Sequence, residues 1–140
     1  MGKINWARVF LCGLLTGFVW TLLLSVALVF FGEEFLQAVR PGIQSGGVKL
    51  FLFFSNLAGG VFGIWLYAIL RPHTGPGPKT AVIAGIAWWF IVSLQSAKWV
   101  ALGFVPTKAA LGLLLPTLPA IILAALVGAW LYKDSVEKVG

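Results

Sequence analysis

The sequence predicts an all-α integral membrane protein, a four-helix bundle built from two helical hairpins. Three observations carry this. Four apolar runs of membrane-spanning length divide the chain, at about 9–31, 50–70, 80–100 and 109–131. Of the 140 residues, 60% are hydrophobic and 10% charged, with a mean hydropathy of +0.99. Soluble domains carry about 25% charged residues, so this chain needs lipid as its solvent. Finally, the break between the two central runs, Arg71-Pro72-His73-Thr74-Gly75-Pro76-Gly77-Pro78-Lys79, has turn chemistry at nearly every position. Its prolines cannot continue a helix and its glycines permit tight reversals. A chain of this size forms one transmembrane domain, 1–140.

The formal charge is +6, from ten Lys+Arg against four Asp+Glu. In a soluble protein that balance would raise nucleic acid as a partner. Here the basic residues flank apolar runs, where they anchor helices against headgroups. Membrane lipids are therefore expected partners and nucleic acid is not. The single cysteine, Cys12, cannot form an internal disulfide and reads as a small buried hydrophobe.

The first span follows Lys3, Asn5, Trp6 and Arg8. Asn5 suits a helix N-cap and Trp6 the headgroup belt. At 23 residues the run 9–31 exceeds the apolar core of a signal peptide, so it is expected to remain as a span. Gly13 and Gly17 form a G-x-x-x-G face for close helix approach. Residues 33–40 are too polar to span. Phe35, Leu36 and Val39 fall on one side, which predicts a short interfacial helix ended by Pro41-Gly42. The second span carries Asn56 as a polar member and Gly59 and Gly63 at the same four-residue spacing. The third carries Trp88-Trp89 near mid-depth and Gln95 towards its end. In the fourth, Pro116 and Pro119 predict a kink, and Ala120, Ala124 and Gly128 form a small-residue ridge.

Gly63-x-Trp65-Leu66-Tyr67 recurs as Gly128-x-Trp130-Leu131-Tyr132, 65 residues later, an offset shared by Pro41/Pro106 and Gly47/Gly112. Internal duplication and independent anchoring of helix ends by Trp and Tyr both account for this. Duplication would relate the hairpins as parallel repeats about an axis along the membrane normal. The basic residues favour the side holding the termini and the connector, which predicts cytoplasmic termini.

The spans hold no Asp, Glu or His in their central parts, so no mid-depth proton relay is foreseen. The only histidine, His73, lies in the connector, and no Cys/His cluster has metal-ligand spacing. Neither a metal nor a cofactor is expected, and no enzymatic activity. Two of the connector's prolines remove N–H donors that a phosphate cradle needs, so Gly75-Pro76-Gly77-Pro78 reads as a rigid turn. Arg71, His73 and Lys79 are candidates for contact with a lipid headgroup or pigment. Trp88 and Trp89 suit either helix packing or the flank of a pigment, quinone or lipid. Asn56 and Gln95 are the candidate intramembrane polar site.

The opening Ile4-Asn5-Trp6-x-Arg8-Val9, the run Trp65-Leu66-Tyr67-Ala68-Ile69-x-Arg71-Pro72-x-x-Gly75-Pro76-Gly77-Pro78-Lys79-Thr80-Ala81 and Trp130-Leu131-Tyr132 resemble a widespread family of small bacterial four-span membrane proteins of unknown function. The resemblance covers nearly the whole chain and is most specific in the connector. It implies a multi-pass protein of the bacterial inner membrane but transfers no activity. His73 departs from the family pattern, where an arginine is usual. The expected role is a non-catalytic accessory or stabilising subunit, acting through helix contacts with other membrane subunits or itself. The alternative is a small oligomeric channel or transporter.

Overall fold

The computed structural model describes residues 4–132, which form five helices and no strand. They are α1 (Trp6–Phe31), α2 (Glu33–Ile43), α3 (Gly46–Thr74), α4 (Pro78–Ala101) and α5 (Thr107–Leu131). All but α2 are long and apolar enough to cross a membrane. The predicted anchors Lys3, Lys133 and Lys138 lie outside the described residues.

The spans form a closed ring in the order α1, α3, α4, α5, with α5 returning to α1. Across the middle, α3 and α5 approach closely, whereas α1 and α4 are bridged by side chains. The two hairpins, α1–α3 and α4–α5, pack by equivalent contacts. A Cβ placed on Gly17 would stand 2.5 Å from Leu57 Cα, and one on Gly85 3.2 Å from Ile122 Cα. Gly85 follows Gly17 by 68 residues and Ile122 follows Leu57 by 65. These paired contacts support the duplication reading of the tyrosine motif, with three residues fewer between the paired positions of the second hairpin.

The structure moves several predicted boundaries. Pro41-Gly42 does not end α2, which runs on to Ile43. Pro72 does not end α3, which continues to Thr74 and shortens the connector to Gly75–Gly77. A proline deletes one intrahelical bond, and near a helix end few others are at stake. The last turn of α3 is refastened by the Gly75 N–H on Arg71 O at 2.9 Å and by Thr74 Oγ1 donating to Leu70 O at 2.9 Å. Gly75 and Gly77 then take φ of 85° and 129°, a region glycine enters without a Cβ penalty. Pro78 opens α4, where its missing N–H is no loss. α3 also starts at Gly46, ahead of the predicted 50, with Ser45 capping the Val48 N–H at 3.2 Å.

α2 folds back on the start of α5. Phe35, Ala38 and Val39 pack against Val105, Ala109 and Ala110. Glu34 pairs with Lys108 at 3.2 Å on the exposed rim, where solvent screens most of the attraction.

Candidate functional site

The connector end holds the densest polar geometry. Asn5 caps α1 as predicted, accepting the Arg8 N–H at 3.2 Å, while its own N–H donates to Tyr132 Oη at 3.3 Å. The Gly77 N–H, at the cap of α4, donates to Tyr67 Oη at 3.2 Å. Each tyrosine therefore comes from the end of one hairpin and holds the start of the other. This sets the start of α1, the connector and the end of α5 at one end of the bundle. Arg71 lies over the Tyr132 ring, its Cζ 5.8 Å from the centroid. Thr80 Oγ1 lies 2.5 Å from Gly75 O and 2.7 Å from Thr74 Oγ1.

Of the three predicted headgroup contacts, His73 and Lys79 are exposed, whereas Arg71 is half-buried against Tyr132. The cavity beside them has about 110 Å³, lined by Tyr67, Gly77, Pro78, Ala81, Leu126, Ala129 and Trp130. Ordinary small-molecule sites enclose roughly 300–1,000 Å³, so this one is too small for a pigment.

Trp88 and Trp89 lie in a different layer. Trp88 is 4% exposed, its indole edge-on to Trp20 at 5.7 Å, so it is not a lipid-facing contact as anticipated. The reason is visible on α3: Gly59 and Gly63 leave a flat recess that the ring fills. A Cβ would reach the indole at 3.1 Å from Gly59 and 2.8 Å from Gly63. Trp89 Nε1 donates to Leu114 O at 3.1 Å, tying α4 to α5 just before Pro116.

The small-residue predictions hold in part. Gly13 and Gly17 do meet a neighbouring backbone, but their counterpart on α3 is Gly60, where any Cβ would collide with Gly17 N and Gly13 O. Gly59 and Gly63 instead face Trp88. The sequence offered Gly59 and Gly60 side by side, about 100° apart on the helix, with nothing to choose between them. Ala120, Ala124 and Gly128 are buried, and Gly128 fits against Thr16 and Ile64.

Asn56 and Gln95 do not form one site. Asn56 is half-buried on α3 and Gln95 exposed on α4, and neither side chain makes a hydrogen bond among the described residues. The buried hydroxyls are locally satisfied: Thr16 Oγ1 donates to Cys12 O at 2.8 Å and Thr117 Oγ1 to Leu114 O at 2.6 Å. Among the described residues no three His, Cys, Asp or Glu side chains group as a metal set would require.

No family model, curated protein or solved structure matches the chain.

Proposed function

We propose that this membrane protein is a non-catalytic accessory or stabilising subunit that docks against another membrane protein or a second copy of itself. The observation that supports the reading is the outward placement of two amides. Asn56 lies about 15 Å along α3 from its start and Gln95 about 9 Å from the end of α4, depths at which lipid offers no hydrogen bond. An amide there is satisfied when a neighbouring helix supplies a partner, a gain of about 0.6–2 kcal/mol each. The glycine seams, by contrast, are already occupied within the bundle, so they lend no support to an outside partner.

The test is self-association and co-purification in mild detergent for the wild type and for Asn56→Leu/Gln95→Leu. The reading expects the wild type to retain a partner or a second copy and the double variant to run as a folded monomer. Equal behaviour of the two proteins would count against it. An oligomeric channel is the second reading, since the same amides would line a path between copies. It requires solute flux in reconstituted vesicles that Asn56→Leu abolishes.

A further inference from the structure

A groove of about 480 Å³ opens at the end of the bundle opposite the connector, lined by Leu36, Arg40, Ile43, Gln44 and Lys49. Leu36, Arg40 and Ile43 follow one another at helical spacing on α2, forming one stripe. The other stripe, Phe35, Ala38 and Val39, is already packed on α5, so the orientation of α2 is fixed. Lys49 enters from the first turn of α3.

The groove is cationic. Its lining includes two basic side chains and no acid. The two acids of α2 are engaged elsewhere, Glu34 with Lys108 and Glu33 with Gln37. Arg40 and Lys49 make no ion pair among the described residues. Directly along α3 from Lys49, the apolar side chains of Leu50, Phe51 and Phe54 are 61%, 69% and 61% exposed. A charged recess thus continues into an uncovered apolar track, at the depth where an interfacial helix meets a span.

We propose that this groove binds the phosphate of an anionic phospholipid. Arg40 offers a planar set of N–H donors and Lys49 a compact charge to the phosphate oxygens. Leu36 and Ile43 meet the glycerol carbons, and an acyl chain follows the Leu50–Phe54 side of α3. The proposal does not depend on the accessory-subunit reading, and it places lipid recognition away from the connector, where Arg71 is already stacked on Tyr132.

Native mass spectrometry of the full chain in mild detergent tests it, with added phosphatidylglycerol or phosphatidylcholine of matched chains. The wild type should retain phosphatidylglycerol in preference. Arg40→Gln and Lys49→Gln should each weaken that retention about fivefold, the effect of removing one interfacial charge. Lys79→Gln, at the other end, should leave it unchanged. Circular dichroism confirms that the variants are folded. Equal retention of both lipids by the wild type, or unchanged retention in Arg40→Gln/Lys49→Gln, would overturn the proposal. So would equilibrium dialysis showing that inorganic phosphate binds as tightly as the lipid and is lost in the same variants, since the groove would then serve a soluble phosphate.

Discussion

The rings of Tyr67 and Tyr132 meet edge to face, 5.9 Å between centroids and 84° between planes, where α3 and α5 converge at the connector end. Their hydroxyls point apart, one to the cap of α4 and the other to the start of α1. The contact is a crossed clasp: each hairpin ends by fastening the beginning of the other.

Removing one hydroxyl should therefore loosen the docking of the hairpins and leave each hairpin intact. Tyr67→Phe and Tyr132→Phe are each expected to cost about 1 kcal/mol, the net worth of one hydrogen bond. Tyr67→Ala should cost several times more, because the buried ring contact is lost as well. Unfolding in mixed detergent micelles, followed by circular dichroism, measures all three. Phe variants as stable as the wild type would mean that the clasp rests on the rings alone.

Adjacent glycines on α3 should respond differently. In Gly60→Ala the added methyl meets backbone atoms of Gly13 and Gly17, which can give way only by separating α1 from α3. Overpacking of this kind costs about 1–3 kcal/mol. In Gly59→Ala the methyl meets the Trp88 ring at 3.1 Å, and an indole can shift by a few tenths of an ångström. The first variant is expected to be clearly less stable in detergent than the second. The reverse order would place the α1–α3 seam on the wrong face.

The pattern behind these expectations was partly legible in the sequence. Apolar run length located all four spans, because lipid demands about 20 apolar residues per crossing. Asn5 was readable as a cap because its side chain acts within one turn. The boundaries at Pro41 and Pro72 were misplaced because proline near a helix end removes too little to stop it. Glycine spacing revealed that close packing would occur but not its target, because a G-x-x-x-G stripe does not encode what faces it. Gly63 met an indole and Gly60 a backbone, a distinction set by tertiary packing. The cationic groove went unread because Arg40 and Lys49 become neighbours only once α2 folds back.

Membrane sidedness can be read directly by labelling. With Cys12 replaced by Ala, Thr74→Cys and Ser45→Cys place single thiols at the ends of α3, near opposite ends of the bundle. A membrane-impermeant reagent should reach them from opposite faces, Thr74→Cys from the cytoplasm. Labelling of both from one face would contradict four spans, whereas an exchange of faces would reverse only the orientation.

Trp88 separates packing from pigment binding. Its ring fills the recess at Gly59 and Gly63 on α3 and its edge contact reaches Trp20 on α1, so one side chain bridges the diagonal that the backbones leave open. Truncation should leave a cavity that rigid neighbouring helices cannot collapse, and Trp88→Ala is expected to cost about 3–5 kcal/mol. Trp89→Phe keeps the ring but loses the bond to Leu114 O, so it should cost only about 0.6–1.7 kcal/mol, the range for interhelical hydrogen bonds in membranes. A double-mutant cycle on Trp20 and Trp88 should give a coupling of about 0.5–1.5 kcal/mol for the ring pair. Had the indole served instead to flank a bound pigment, Trp88→Ala would leave the apoprotein as stable as the wild type and the cycle would show no coupling. A large loss of apoprotein stability with measurable coupling to Trp20 therefore identifies Trp88 as the central packing residue of the bundle.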